Sequence, residues 1–181
     1  MRVAVGGGTQ GAGLSPRWDH EGVSRPPVPS DAGYSALLIL HVGSALVGFG
    51  ALVLTGVQAA RAARGTDGPT GEGLRRYFRP GVNWPARALY GVPLFGFALL
   101  ADSRGAFRAG DPFVLAGLLL WLLAALLAEL LVWPGERRIQ ARLAGEGEGT
   151  DLARTGRRLA VAAGFLAAVF LASTVLMVVQ P

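Results

Sequence analysis

A single acidic residue, Glu129, interrupts the apolar run LLAALLAELLVW and is the side chain there most suited to chemistry. If that run crosses a bilayer, the carboxylate is costly in hydrocarbon and is expected to pair with a cation. Arg87 lies in the preceding apolar segment, three residues before Tyr90. The sequence predicts that Arg87 and Glu129 form an ion pair, and that Tyr90 and Gln58 complete an intramembrane polar cluster.

This cluster has two possible roles. As a salt bridge, it would fix the way the helices pack. As a relay, it would carry protons or a small solute across the membrane, since ionisable groups within membranes often mark such pathways. One acid with one nearby arginine, close to the end of an apolar run, favours the structural role.

His41, near the start of the first apolar run, is the second candidate for chemistry. Ser173 and Thr174 of the last apolar run are expected at a similar depth, so we interpret His41 as hydrogen-bonded to a neighbouring hydroxyl. The alternative is a haem or copper ligand, completed by Met177 or by the same histidine of a second copy. His20 is the other histidine of the chain. No catalytic constellation is found, so the sequence predicts neither an enzyme nor a bound cofactor.

The composition indicates a bilayer environment for these residues. Hydrophobic residues make up 51% of the chain and charged residues 16%, and cysteine is absent. The net charge is +5, and every basic residue is an arginine. These arginines lie between apolar runs and not on a continuous polar surface, which argues against nucleic-acid binding.

Four apolar segments are long enough, or nearly so, to cross about 30 Å of hydrocarbon as helices. The sequence predicts an all-α fold, a four-helix transmembrane bundle at residues 32–181 that follows a disordered N-terminal tail at residues 1–31. Pro134 is expected to end the third helix. The predicted helices are 34–60, 83–101, 112–134 and 157–180.

The arginines predict how the bundle is oriented. The segments 61–79 and 136–158 carry eleven of the 17 basic residues. Arginines beside membrane spans are retained on the cytoplasmic side. The sequence therefore predicts a multi-pass protein of the cell membrane, with both arginine-rich loops in the cytoplasm and both termini outside.

Small and polar residues of the first helix recur with a helical period and predict a packing face. Transmembrane helices approach each other closely where side chains are small. On the third helix, Gly117, Trp121, Ala125 and Glu129 are spaced by four, so the acid is also expected on a small-residue face. The face of the first helix comprises His41, Ser44, Gly48, Ala51, Thr55 and Gln58.

Three sequence stretches resemble a known family: LLILHVGSALVGFGALVLTG, YFRPGVNWPARALYGVPLFGFALL and LAELLVWPGERR. They resemble the small actinobacterial integral membrane proteins called domain of unknown function 2269 and, more distantly, CopD-like membrane proteins. The resemblance covers residues 34–180. It implies a four-helix membrane protein without an assigned activity, and His41 is the residue that carries over.

Two functions follow from these observations. The first is a non-enzymatic structural, assembly or interaction component of the membrane, whose partners are the lipid bilayer and another membrane protein or a second copy of this chain. The alternative is a redox protein with haem or copper, or a transporter of protons or a small solute, that uses His41 or Glu129.

Overall fold

The structure, a computed structural model, describes residues 26–66, 68–146 and 151–179. Consecutive segments join into five continuous helices within these residues, and no strand is found among them, so the prediction of an all-α fold is confirmed. Of the predicted tail, residues 1–25 lie outside the described residues. The segments are α1 (Ala32–Ala62), α2 (Gly68–Tyr77), α3 (Trp84–Arg87), a 3-10 turn (Ala88–Tyr90), α4 (Gly91–Asp102), α5 (Pro112–Leu127), a π segment (Ala128–Val132), α6 (Trp133–Leu143) and α7 (Leu152–Val178).

Three of the five helices are long and apolar enough to cross a membrane: Ala32–Ala62, Pro112–Leu143 and Leu152–Val178. They are the helices expected of a multi-pass membrane protein. The predicted span at 83–101 corresponds to α3, the 3-10 turn and α4. The longest regular part of it, α4, has 12 residues, which reach only about 18 Å.

Asp31 determines where α1 begins. Its side-chain oxygen accepts a hydrogen bond from the backbone N–H of Tyr34 at 3.0 Å, which satisfies one of the free donors at the helix start. The same carboxylate accepts a 2.8 Å hydrogen bond from Arg104 Nη2, in the loop after α4. This contact ties the start of α1 to the end of α4.

Pro93 leaves a carbonyl of the 3-10 turn before α4 without its usual donor, and a neighbouring helix supplies one. Proline has no N–H to donate to the carbonyl four residues earlier, that of Leu89. The indole Nε1 of Trp121, on α5, donates to this oxygen at 2.9 Å. The backbone just before Pro93 forms the 3-10 turn Ala88–Tyr90. A side chain of one helix thus compensates for a proline in another.

The prediction that Pro134 ends the third helix is wrong. The helix passes through the π segment and continues as α6 to Leu143. A π segment widens the turn by one residue, so the proline ring meets less steric conflict with the turn before it. Beyond the proline, Ile139 is fully buried, and the packing of α6 against α7 supports the extension.

The helices pack around α1, which lies against α7 and against the α3–α4 helix, while α5 packs mainly against α7. The prediction for the packing face of α1 is confirmed, since none of its six residues is exposed. Gly48 allows α1 to approach the 3-10 turn before α4 closely, because a Cβ there would lie 2.5 Å from the backbone nitrogen of Leu89. Gly56 similarly lies against Ala163 of α7.

Candidate functional site

The predicted polar cluster forms where the 3-10 turn meets the π segment. Tyr90 Oη donates a hydrogen bond to Glu129 Oε1. Arg87 Nη1 lies 3.6 Å from the same oxygen, and the guanidinium carbon lies 3.4 Å from the centroid of the Trp133 ring. The structure therefore brings together Arg87, Tyr90 and Glu129, three of the four residues predicted to meet. The fold places the arginine between a carboxylate and an aromatic face, both of which attract it.

Gln58, the fourth residue predicted for this cluster, lies elsewhere. Its Oε1 accepts a hydrogen bond from Arg61 Nη1 at 3.3 Å, and it borders a pocket against Thr70 and Leu74 of α2. The depth of Gln58 was predicted from its position along α1. Depth alone did not show that α2 covers this part of the helix.

Glu129 does not lie on the buried side of its helix, as the spacing of small residues had suggested. Its side chain is 48% exposed, whereas Ala125 is buried. In a helix of 3.6 residues per turn, a spacing of four turns the direction by about 40° at each step. Over the three steps from Gly117, the rotation reaches roughly 120°. This drift carries Glu129 out of the interface and onto the outer surface of the bundle.

A second, buried polar network lies next to this cluster and was missed by sequence reasoning. Glu136, 6% exposed, accepts a 3.1 Å hydrogen bond from Asn83 Nδ2. The same amide nitrogen lies 3.2 Å from Thr55 Oγ1, which is 2.8 Å from Tyr77 Oη. Glu136 comes seven residues after Glu129, or about two helical turns. In a regular helix this spacing would give the two acids the same face, yet Glu136 is buried and Glu129 is half exposed. The expected helix end at Pro134 had in addition placed Glu136 in a loop.

The buried network fixes α2 and the segment before α3 to the end of the bundle. Burial raises the pKa of the Tyr77 phenol, its hydrogen bond with Thr55 lowers this pKa in part, and the Glu136 carboxylate raises it again. Tyr77 is therefore held as a neutral hydrogen-bonding group. Every member has a partner within the network, as buried polar groups require.

His41 bonds to backbone, not to a hydroxyl. Its Nδ1 lies 2.8 Å from the carbonyl oxygen of Val92, and a carbonyl can only accept, so Nδ1 carries the proton. Ser173 and Thr174 each donate to a carbonyl of α7 four residues earlier, at 2.9 Å. The predicted hydroxyl partner is therefore wrong. Gly96 makes room for the ring, since a Cβ at that position would lie 3.2 Å from His41 Cε1.

A cavity of about 200 Å³ lies beside His41, between α1, α4 and α5. Aromatic side chains form much of its wall, among them Phe97, Phe113 and Trp121, and Met177 of α7 also borders it. Among the residues described, no group of three or more His, Cys, Asp or Glu side chains lies together. Within one chain, the haem or copper hypothesis therefore depends on His41 and Met177 among the residues described, and the alternative pairing with His41 of a second copy stays a hypothesis.

Comparison with known protein families, with curated proteins and with solved structures found no match to this chain. The resemblance to the small four-helix membrane proteins therefore stays a prediction. Fold and site together define a helical, multi-pass membrane protein with a polar cluster at one end and an aromatic cavity toward the other.

Proposed function

We propose that the protein is a cell-membrane protein with four spans and both termini outside, and that it is a non-enzymatic component that packs with another membrane protein. The fourth span would be the α3–α4 helix, residues 84–102. Its 19 residues reach about 28 Å, close to the thickness of the hydrocarbon layer. Its packing along α1 supports this placement.

The observation that carries the proposed function is the position of Glu129 on the outer surface. The carboxylate is half exposed, and Leu130 beside it is 70% exposed. An ion pair that faces lipid is unfavourable, and a partner helix over it would replace lipid by protein. We therefore place the contact surface, defined here as Leu126, Glu129 and Leu130, on this side of α5 and the π segment.

The contacts of Glu129 favour the structural role over the relay. Its Oε1 already accepts from Tyr90 and lies near Arg87. Two partners hold the carboxylate in one position, whereas a proton carrier must exchange partners during transport. The contacts of Glu129 thus support a structural role for the cluster over a role in proton transfer.

Cysteine labelling tests the number of spans and their orientation, because the natural chain has no cysteine. Ser103 is fully buried and unsuitable, but Thr70, Ala109 and Glu146 are exposed. With four spans, cysteines at 70 and 146 react only from the cytoplasm and a cysteine at 109 reacts only from outside. Labelling of positions 70 and 109 from the same side would show that the α3–α4 helix does not cross.

Site-specific photo-crosslinking tests the contact surface in native membranes. A photo-reactive residue at Leu130 should give one discrete crosslinked protein species, either with a second copy or with another membrane protein. Val161, 74% exposed on α7, serves as the matched control and should crosslink to lipid. Lipid adducts alone at both positions would contradict the proposed contact surface.

One observation favours the redox alternative: His41 and Met177 border the same cavity, and a His/Met pair is a known set of haem ligands. Visible absorbance and metal analysis of the purified protein separate the two functions. A stoichiometric haem or copper signal that is lost in His41→Ala would replace the non-enzymatic proposal by the redox one.

A further inference from the structure

The cavity beside His41 has an apolar wall and one hydrogen-bonding nitrogen without a partner. Nδ1 of His41 is engaged by the Val92 carbonyl, so in the neutral ring Nε2 carries a lone pair. Nε2 has no hydrogen-bond partner among the described residues. The indole N–H of Trp121, also on the cavity, is already used by Leu89. Tyr34 also borders the cavity and brings a phenol hydroxyl to it, so His41 Nε2 is the nitrogen acceptor that a guest molecule would meet there.

The possible guest molecules differ in whether they fill the apolar space and whether they donate a hydrogen bond to Nε2. A lipid acyl chain would fill the apolar space but would offer Nε2 no donor, and an unpaired acceptor is unfavourable in such surroundings. A water molecule would donate to Nε2 but would wet the aromatic walls. A molecule that is apolar and carries one hydroxyl fills the apolar space and also donates a hydrogen bond to Nε2.

We propose that this cavity binds a membrane-soluble phenol, with the hydroxyl donating to His41 Nε2 and the ring packed among Phe97, Phe113 and Trp121. The cavity, about 200 Å³, exceeds the roughly 150 Å³ apolar cavity that holds benzene in another protein, so one substituted ring fits. Aromatic walls favour an aromatic guest through edge-to-face contacts. This site is independent of the number of spans and of the contact surface at Glu129.

The test compares two probes, 4-propylphenol and 4-propylanisole, in which a methyl group replaces the hydroxyl proton and so removes the hydrogen-bond donor. Each is titrated into the purified full chain in nanodiscs, and tryptophan fluorescence reports binding, with empty nanodiscs to correct for partition into lipid. The phenol should bind about fivefold more tightly than the ether, the factor expected for one net hydrogen bond. The Trp121→Phe variant should lose most of the fluorescence change.

Two variants locate the interaction. His41→Phe keeps an aromatic ring but removes the acceptor, so the preference for the phenol should fall to less than about twofold while both probes still bind. Gly117 borders the cavity and has open space around it, so Gly117→Leu should weaken both probes alike. Gly164→Leu, at an open position of α7 away from the cavity, is the matched control and should change neither.

Three results would overturn the proposal. Equal binding of the two probes to the natural chain would mean that no hydrogen bond forms. If His41→Phe still binds the phenol more tightly than the ether, the hydroxyl donates to a group other than His41. Unchanged binding in Gly117→Leu would mean that the probes occupy lipid or another surface. Because the probe comparison is made on the natural chain, it remains decisive even if a variant fails to fold.

Discussion

The two partners of Glu129 should contribute unequally to stability, and double-mutant cycles can measure the difference. One cycle combines Glu129→Leu with Arg87→Leu, and the other combines Glu129→Leu with Tyr90→Phe. Each cycle isolates the coupling between two side chains, since effects of a single substitution on the rest of the protein cancel.

The geometry gives the expected size of each coupling. At the 3.6 Å separation of Arg87 Nη1 and Glu129 Oε1, Coulomb attraction is about 1 kcal/mol in water and about 5 kcal/mol at an effective dielectric constant of 20. The side chains are 31% and 48% exposed, so in detergent micelles water and detergent headgroups reach the pair and reduce the net value to roughly 0.2–1 kcal/mol. A hydrogen bond to a charged group contributes about 1.5–3 kcal/mol. Allowing for exposure of Glu129, we expect about 1–2 kcal/mol for Tyr90 with Glu129.

Arg87→Leu should nevertheless be destabilising by itself. Its guanidinium also lies over the Trp133 ring, and a cation–π contact contributes about 0.5–2 kcal/mol. This loss persists when Glu129 is already replaced, so it does not appear in the coupling.

The assay is reversible unfolding in mixed detergent micelles, followed by far-ultraviolet circular dichroism, for the natural chain and the five variants. The reasoning is refuted if the Arg87 coupling exceeds the Tyr90 coupling, or if neither differs from zero. In the second case Glu129 would have no stabilising partner within the chain, and a role as proton or solute carrier would become the better interpretation.

Three further predictions concern packing and hydrogen bonds, each checked by the same unfolding assay. Gly48→Ala should lower the free energy of unfolding by about 1–3 kcal/mol, because the new methyl meets the backbone of Leu89. Gly50 has open space around it, so Gly50→Ala should have no effect or a slightly stabilising one, and equal losses in the two variants would show that the close approach at Gly48 is not the cause. Trp121→Phe should destabilise by about 1–3 kcal/mol, since it leaves a buried carbonyl without its donor, and a neutral result would mean that another group serves that carbonyl. Asn83→Ala removes the hydrogen-bond donor to Thr55 and Glu136 in the buried network and should lower the free energy of unfolding by about 2 kcal/mol or more. A loss below about 0.5 kcal/mol would argue that the network is not formed.

Hydropathy and small-residue spacing were sufficient to predict the three long apolar helices and the packing face of α1, because hydropathy marks long apolar runs and the face follows the period of the helix. They did not predict α2, a short polar helix with several glycines. The meeting of Arg87, Tyr90 and Glu129 could also be predicted, since a charge in hydrocarbon needs a partner. The exposure of Glu129 could not be predicted from a spacing of four residues. Each such step rotates the side-chain direction by about 40° around the helix axis, and this rotation decides whether a residue faces the bundle or its outer surface.

The two prolines show why the course of the helices around them could not be predicted from the sequence. Proline disfavours helix in general, but the outcome at a given site depends on tertiary contacts. At Pro93 the compensating donor comes from Trp121, 28 residues later in the chain. At Pro134 the helix continues because α6 packs on α7. The position of Glu136, and with it the buried network, depends on that continuation.

The unbroken helix from Pro112 to Leu143 is longer than a bilayer core. Its 32 residues extend about 48 Å, against about 30 Å of hydrocarbon. Part of α6 therefore extends beyond the hydrocarbon core on the arginine-rich side, as a direct continuation of the π segment that carries Glu129. Because α6 packs on α7 and its Glu136 belongs to the buried network, a molecule that displaced this end of the helix would disturb the buried network and the Glu129 cluster together.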